Sequence, residues 1–87
     1  MSGPFEELRD RIAANDRAIV ESVNLRLRLV AELWRIKAER GASLLDPERE
    51  QRLRAALAEA NEGPLSAEGL ERLVDELLAL TKRELGS

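Results

Sequence analysis

The chain has 87 residues, with 14 Lys and Arg against 17 Asp and Glu, a formal net charge of −3, and no His, Cys or Tyr. A domain this short buries only about 60% of its unfolded surface, so a partner chain is expected. Without His or Cys there is no disulfide framework, thiolate nucleophile, imidazole base or conventional zinc or haem site, and any chemistry falls to Arg, Lys, Asp, Glu and hydroxyls.

Hydrophobic residues at 44% and charged residues of both signs at 36% describe a soluble, all-α single domain over 1–87 rather than a disordered tail. The negative balance argues against nucleic acid, and the basic run Arg26, Arg28, Arg35 has no interleaved aromatics on which bases could stack. Glu6, Glu7 and Asp10 stand where a signal peptide needs an apolar run, and no apolar stretch approaches the ~18 residues of a membrane span. A cytoplasmic location and no membrane contact are therefore expected.

From Phe5 to Arg40 there is no Pro or Gly, and apolar residues recur mostly three or four apart through Leu8, Ile12, Ile19, Val23, Val30 and Trp34. The spacing predicts one long helix, stopped by Gly41 and followed by a short loop to Leu45. Asp46 with Pro47 starts a second helix, whose buried side is read as Leu53, Ala56, Leu57 and Ala60, and which ends at Asn61 to Pro64. Ser66 caps a third, with a stripe through Leu70, Leu73, Val74, Leu77, Leu78 and Thr81 that stops near Gly86. A first helix of this length spans about 54 Å, whereas a compact chain of this size has a radius of gyration of about 12 Å. Its stripe needs another chain, most simply a two-fold mate in an intertwined helical homodimer.

On a helical projection Leu8, Ile19, Arg26 and Lys37 fall within about 20° of one another, with Ile12 and Val30 about 40° away. Two cations therefore sit inside the apolar stripe, and Arg49 repeats the pattern four residues before Leu53. Buried cations need counter-charges. The plainer account is internal pairing with Glu50, Glu32 or Asp46, or snorkelling to water. The functional account is a pocket for a small organic polyanion, its carboxylates gripped by Arg forks and a Lys point charge. Glu6 with Glu7, and Glu48 with Glu50, lack the spacing and company of a metal or acid–base pair, so no metal and no cofactor are expected.

The pattern Leu8-Arg9, Ile12, Asp16, Ile19, Arg26, Lys37, then Asp46-Pro47-Glu48-Arg49-Glu50 resembles the all-helical chorismate mutase family, in its stand-alone bacterial form, over about residues 5–85. The resemblance implies three helices per chain, an intertwined dimer and two equivalent active sites. It implies the isomerisation of chorismate to prephenate in the shikimate pathway of aromatic amino-acid biosynthesis. By the same resemblance Arg26, Lys37 and Arg49 of one chain line a pocket completed by Arg9 of the other. Arg9 and Arg26 would hold the substrate carboxylates, and Lys37 a carboxylate and the ether oxygen. Asp46 and Glu50 would meet the hydroxyl region, and Thr81 falls where the family has a small hydroxyl residue. One departure is visible: where the family supplies a Gln or Glu to the ether oxygen near the end of the third helix, the gap-free match puts Leu85, and Glu84 comes one residue early. Either the last turn is distorted enough to bring Glu84 inward, or Lys37 works without that second donor.

A unimolecular pericyclic rearrangement suits a chain without a nucleophile, because it asks only for a held conformer and stabilised charge on the breaking ether bond. Two other readings stay open at this level. Isochorismate pyruvate lyase shares the fold and a similar set of cations. A non-catalytic helical dimer or regulatory partner would use Arg26 and Lys37 only for ion pairs. The sequence also leaves room for a partner enzyme that raises activity.

Overall fold

The computed structural model describes residues 3–86. It is all-helical among these residues, with α1 at Pro4–Glu39, α2 at Pro47–Ala60 and α3 at Ala67–Leu85. Pro4 opens α1 at a position where its missing N–H costs no hydrogen bond. At the other end Gly41 adopts φ +68°, a conformation open to glycine at little cost. This lets Ala42 N–H donate to the Lys37 carbonyl at 2.8 Å and Gly41 N–H to the Ala38 carbonyl at 3.2 Å, a Schellman closure. The chain is thereby turned back beside Lys37 and delivered to α2. There Asp46 accepts from Arg49 N–H at 3.1 Å, and Ser66 caps α3 by accepting from Gly69 N–H at 2.9 Å. Between these helices the Asn61 side chain donates to the Leu65 carbonyl and accepts from Gly63 N–H, which fixes the turn.

The third helix packs against both others. Leu70 and Val74 are buried, as is Thr81, and Val74 retains only 1% exposure. This small core lies on one side of α1, which contains no buried residue. The molecule is elongated, 59 Å in its longest dimension with a radius of gyration of 16.7 Å. The apolar positions of the N-terminal half of α1 stand open: Phe5, Leu8, Ile12 and Ile19 are each more than half exposed.

Two expectations about buried faces need correction. Leu53 and Leu57 face inward as expected, but Ala56 and Ala60 are exposed and Arg54 takes their place on the inward side of α2. The half-buried Arg54 guanidinium reaches across to α3, meeting Glu71 at 2.7 Å and Asp75 at 2.6 Å, so Arg54 shares the side of α2 that is turned to α3. The Asp75 carboxylate raises the Arg54 pKa further above its ordinary value, against the opposing effect of desolvation. Leu73 is 49% exposed, although its spacing puts it in the α3 stripe. It lies about 100° round from Val74, beyond the width that α1 and α2 of one chain cover.

Val74→Ala is expected to lower unfolding free energy by about 2 kcal/mol, because it empties the tightest point of the core. Urea titration measures this; a loss below about 0.5 kcal/mol would mean that the α3 core does not carry the fold.

Candidate active site

The C-terminal half of α1, the loop after it, the start of α2 and the end of α3 enclose an open cavity of about 500 Å³. The Schellman turn makes this enclosure, since it places the first turn of α2 opposite the last turns of α1. Arg26 and Lys37 face the cavity from α1, eleven residues apart and so about 17 Å along the axis. Between them Val30, Leu33 and Trp34 supply apolar wall, extended by Leu44 and Leu45 of the loop. Asp46, the cap of α2, contributes with Arg49 and Glu50 of its first turn, and α3 contributes Thr81. Six residues singled out in the sequence, Arg26, Lys37, Asp46, Arg49, Glu50 and Thr81, therefore meet on one cavity. Arg26, Lys37, Asp46 and Glu50 are half-buried, whereas Arg49 is exposed.

Internal ion pairing does not account for these cations. Among the described residues, the salt bridges are formed by Arg35 with Glu32 and Glu39 and by Arg54 with Glu71 and Asp75. Glu32, one of the proposed counter-charges, is engaged by Arg35, whose hydrogen bond and charge hold the Glu32 carboxyl below the usual carboxylate range. Arg26 instead donates from Nη1 to the hydroxyl of Thr81 at 2.5 Å, and Thr81 donates its own proton to the Leu77 carbonyl at 2.7 Å. A neutral acceptor orients the guanidinium without cancelling its charge. Asp46 commits one carboxylate oxygen to capping α2. With five cations and two carboxylates lining it, the cavity carries a positive excess suited to a small polyanion.

Other sequence-selected residues lie elsewhere. Arg9 is exposed and stacks over the Phe5 ring at 4.7 Å. It stands about 26 Å from Arg26 along the axis of the same helix, so one chain does not bring the two together. At the end of α3, Leu85 is half-buried on the Thr81 side and Glu84 is exposed, and neither lines the cavity. The helix remains regular through Leu85, so no distortion turns Glu84 inward. Two further cations, not singled out by the sequence, also line the cavity: Arg52 and Lys82. Their spacing carried a signal, since Arg52 follows Arg49 by three and Lys82 follows Leu78 by four, each placing the pair on one helical face.

Because no carboxylate is stranded by their removal, Arg26→Ala and Lys37→Ala are expected to stay within about 1 kcal/mol of the parent in stability. Truncating one member of a buried ion pair would cost about 3 to 5 kcal/mol. Thermal melts separate the two cases, and severe destabilisation of both variants would restore the ion-pair account.

The family chorismate mutase type II matches the chain over residues 8–84. Among solved structures the chain is similar to chorismate mutase from Thermus thermophilus in two forms. Both share 30% identity with it and a TM-score of 0.85 over 91% of this chain, covering 99% of the Form I chain and 90% of the Form II chain. No curated protein matches the chain. With a family match running almost end to end and a likeness in fold across nearly the whole of a solved relative, the chain belongs to the chorismate mutase type II family, and its function is that of a chorismate mutase, an isomerase.

Proposed function

We propose that the chain converts chorismate to prephenate in the cytoplasm, as a step of aromatic amino-acid biosynthesis, in two composite sites of an intertwined homodimer. The observation that carries the site assignment is that Arg26 and Lys37, two cations on the apolar stripe facing one cavity, form no ion pair among the described residues. Support for the dimer comes from the open apolar face of the N-terminal half of α1 and from the position of Arg9 on that half. In an antiparallel pairing of two long helices, the first half of one lies beside the second half of the other. Arg9 of the second chain then approaches the Arg26–Lys37 cavity.

The reaction breaks the ether C–O bond and forms a C–C bond in one cyclic shift of electrons, with no proton transferred and no intermediate on the protein. What the residues contribute is conformation and charge. Arg26 and the second chain's Arg9 hold the two carboxylates, so that the side chain of the substrate is folded over its ring and the reacting carbons meet. Lys37 meets a carboxylate and the ether oxygen, where negative charge grows as the bond lengthens. The apolar wall of Val30, Leu33 and Trp34 lowers the local dielectric and strengthens that interaction. Asp46 and Glu50 accept from the substrate hydroxyl, Arg49 adds a further positive charge, and Thr81 steadies Arg26 through the hydrogen bond described above.

Lys37→Ala is expected to lower kcat by about 10² to 10³ in a chorismate turnover assay, through the charge on the ether oxygen, and Arg26→Ala to lower kcat as well, because the side chain of the substrate is no longer held folded over its ring. Isochorismate is the control substrate, and turnover of that compound alone would replace the mutase by a lyase of the same fold. Composite sites make a sharper demand. Arg9→Ala and Lys37→Ala are each nearly inactive alone, but mixing and re-equilibrating the two regenerates about a quarter of parental activity, because half of the dimers are hybrids with one intact site. Failure to regain activity while hybrids form would rule out sharing across the interface.

The melting midpoint is also expected to rise with protein concentration, since folding and association bury the same stripe. Melts a hundredfold apart in concentration read this. A folded monomer at micromolar concentration in sedimentation would overturn the dimer.

A further inference from the structure

The α3 wall of the cavity is made by Leu78, Thr81 and Lys82. Its one hydroxyl is already used. Thr81 donates to the Leu77 carbonyl and accepts from Arg26. A hydroxyl carries a single proton, so Thr81 has none to give an anionic ligand. It is also only 5% exposed, which leaves little of its surface open to a ligand.

Lys82 differs on each count. It is exposed, it forms no ion pair among the described residues, and it lies about 40° round the helix from Leu78, which shares the cavity. Beyond it α3 contributes nothing more among the described residues: Glu84 and Leu85 stay outside the lining. Of the three side chains in this wall, Lys82 is therefore the one with protons to offer. An ammonium with three donors on a flexible stem reaches a carboxylate without the strict geometry that a guanidinium fork requires.

Resting on the mutase reading above, we propose that Lys82 is a substrate-binding residue whose ammonium meets a carboxylate of the bound dianion from the α3 side of the cavity. A carboxylate keeps its charge from ground state to transition state. The contact therefore strengthens binding of both alike and acts on KM rather than kcat.

The test is steady-state turnover of chorismate by the parent chain, Lys82→Gln and Lys82→Arg over a series of salt concentrations, with thermal melts alongside. Lys82→Gln is expected to raise KM about tenfold with kcat nearly unchanged, and to flatten the rise of KM with ionic strength, because one screened attraction has been removed. Lys82→Arg restores both readings. Unchanged KM in Lys82→Gln would overturn the proposal. So would a change that follows a lowered melting temperature while the salt dependence stays parental, which is the signature of a merely structural residue. Should the parent chain fail to turn chorismate over, the mutase reading falls separately. Calorimetric titration of chorismate into the parent and Lys82→Gln then decides whether Lys82 holds the dianion, equal affinities overturning it.

Discussion

A 36-residue helix has more flank than the rest of this chain can cover. That single geometrical fact organises the molecule. The two shorter helices gather at one end of α1, where α3 packs on it and α2 packs on α3, and the other end is left with its apolar residues in the open. The core that results is small, centred on Leu70 and Val74, and the elongated shape follows from it. Burial of apolar surface contributes about 25 cal/mol per Å², so such an open stripe strongly favours association, and the proposed dimer answers it.

The same arrangement creates the cavity. Gly41 turns the chain at the end of α1, and Asp46 starts α2 next to it, so the last turns of one helix and the first turn of the next form two sides of one recess. The α3 helix closes a third side and contributes Thr81, whose hydroxyl fixes Arg26 without neutralising it. Ion pairing and the lining of the cavity use different charges. Arg35 and Arg54 are paired with carboxylates on the outside of the helices and between α2 and α3. Arg26, Lys37 and Arg49 line the cavity without an ion pair among the described residues. Arg26 and Lys37 are half-buried and Arg49 is exposed, so their charges stay solvated and open to an anion, as the proposed binding of a dianion requires.

A mutase of this kind needs no nucleophile and no general base, and the absence of His and Cys from the chain is consistent with that requirement. Its chemistry is the placement of charge. Electrostatic catalysis of this type depends on donors held in advance of the reaction, which a rigid helical frame supplies more readily than loops do.

The sequence by itself determined the three helices, their caps at Asp46 and Ser66, the stop at Gly41, and the intrusion of Arg26 and Lys37 into an apolar stripe, because all of these are properties of residues within a few positions of one another. It also carried the family resemblance, since the motif residues stand at fixed spacings along the chain. Leu53 and Leu57 were legible as the inward side of α2, but only the tertiary structure decided that Arg54 joins them in place of Ala56 and Ala60, because Arg54 finds Glu71 and Asp75 on another helix. The same holds for the use of Thr81. A hydroxyl 55 positions from Arg26 gives no local sign that it will accept from that guanidinium and donate its own proton to the Leu77 carbonyl. Lys82 and Arg52 joined the cavity for the same reason: a helical projection shows which residues share a face, but not how wide an arc the neighbouring helices enclose.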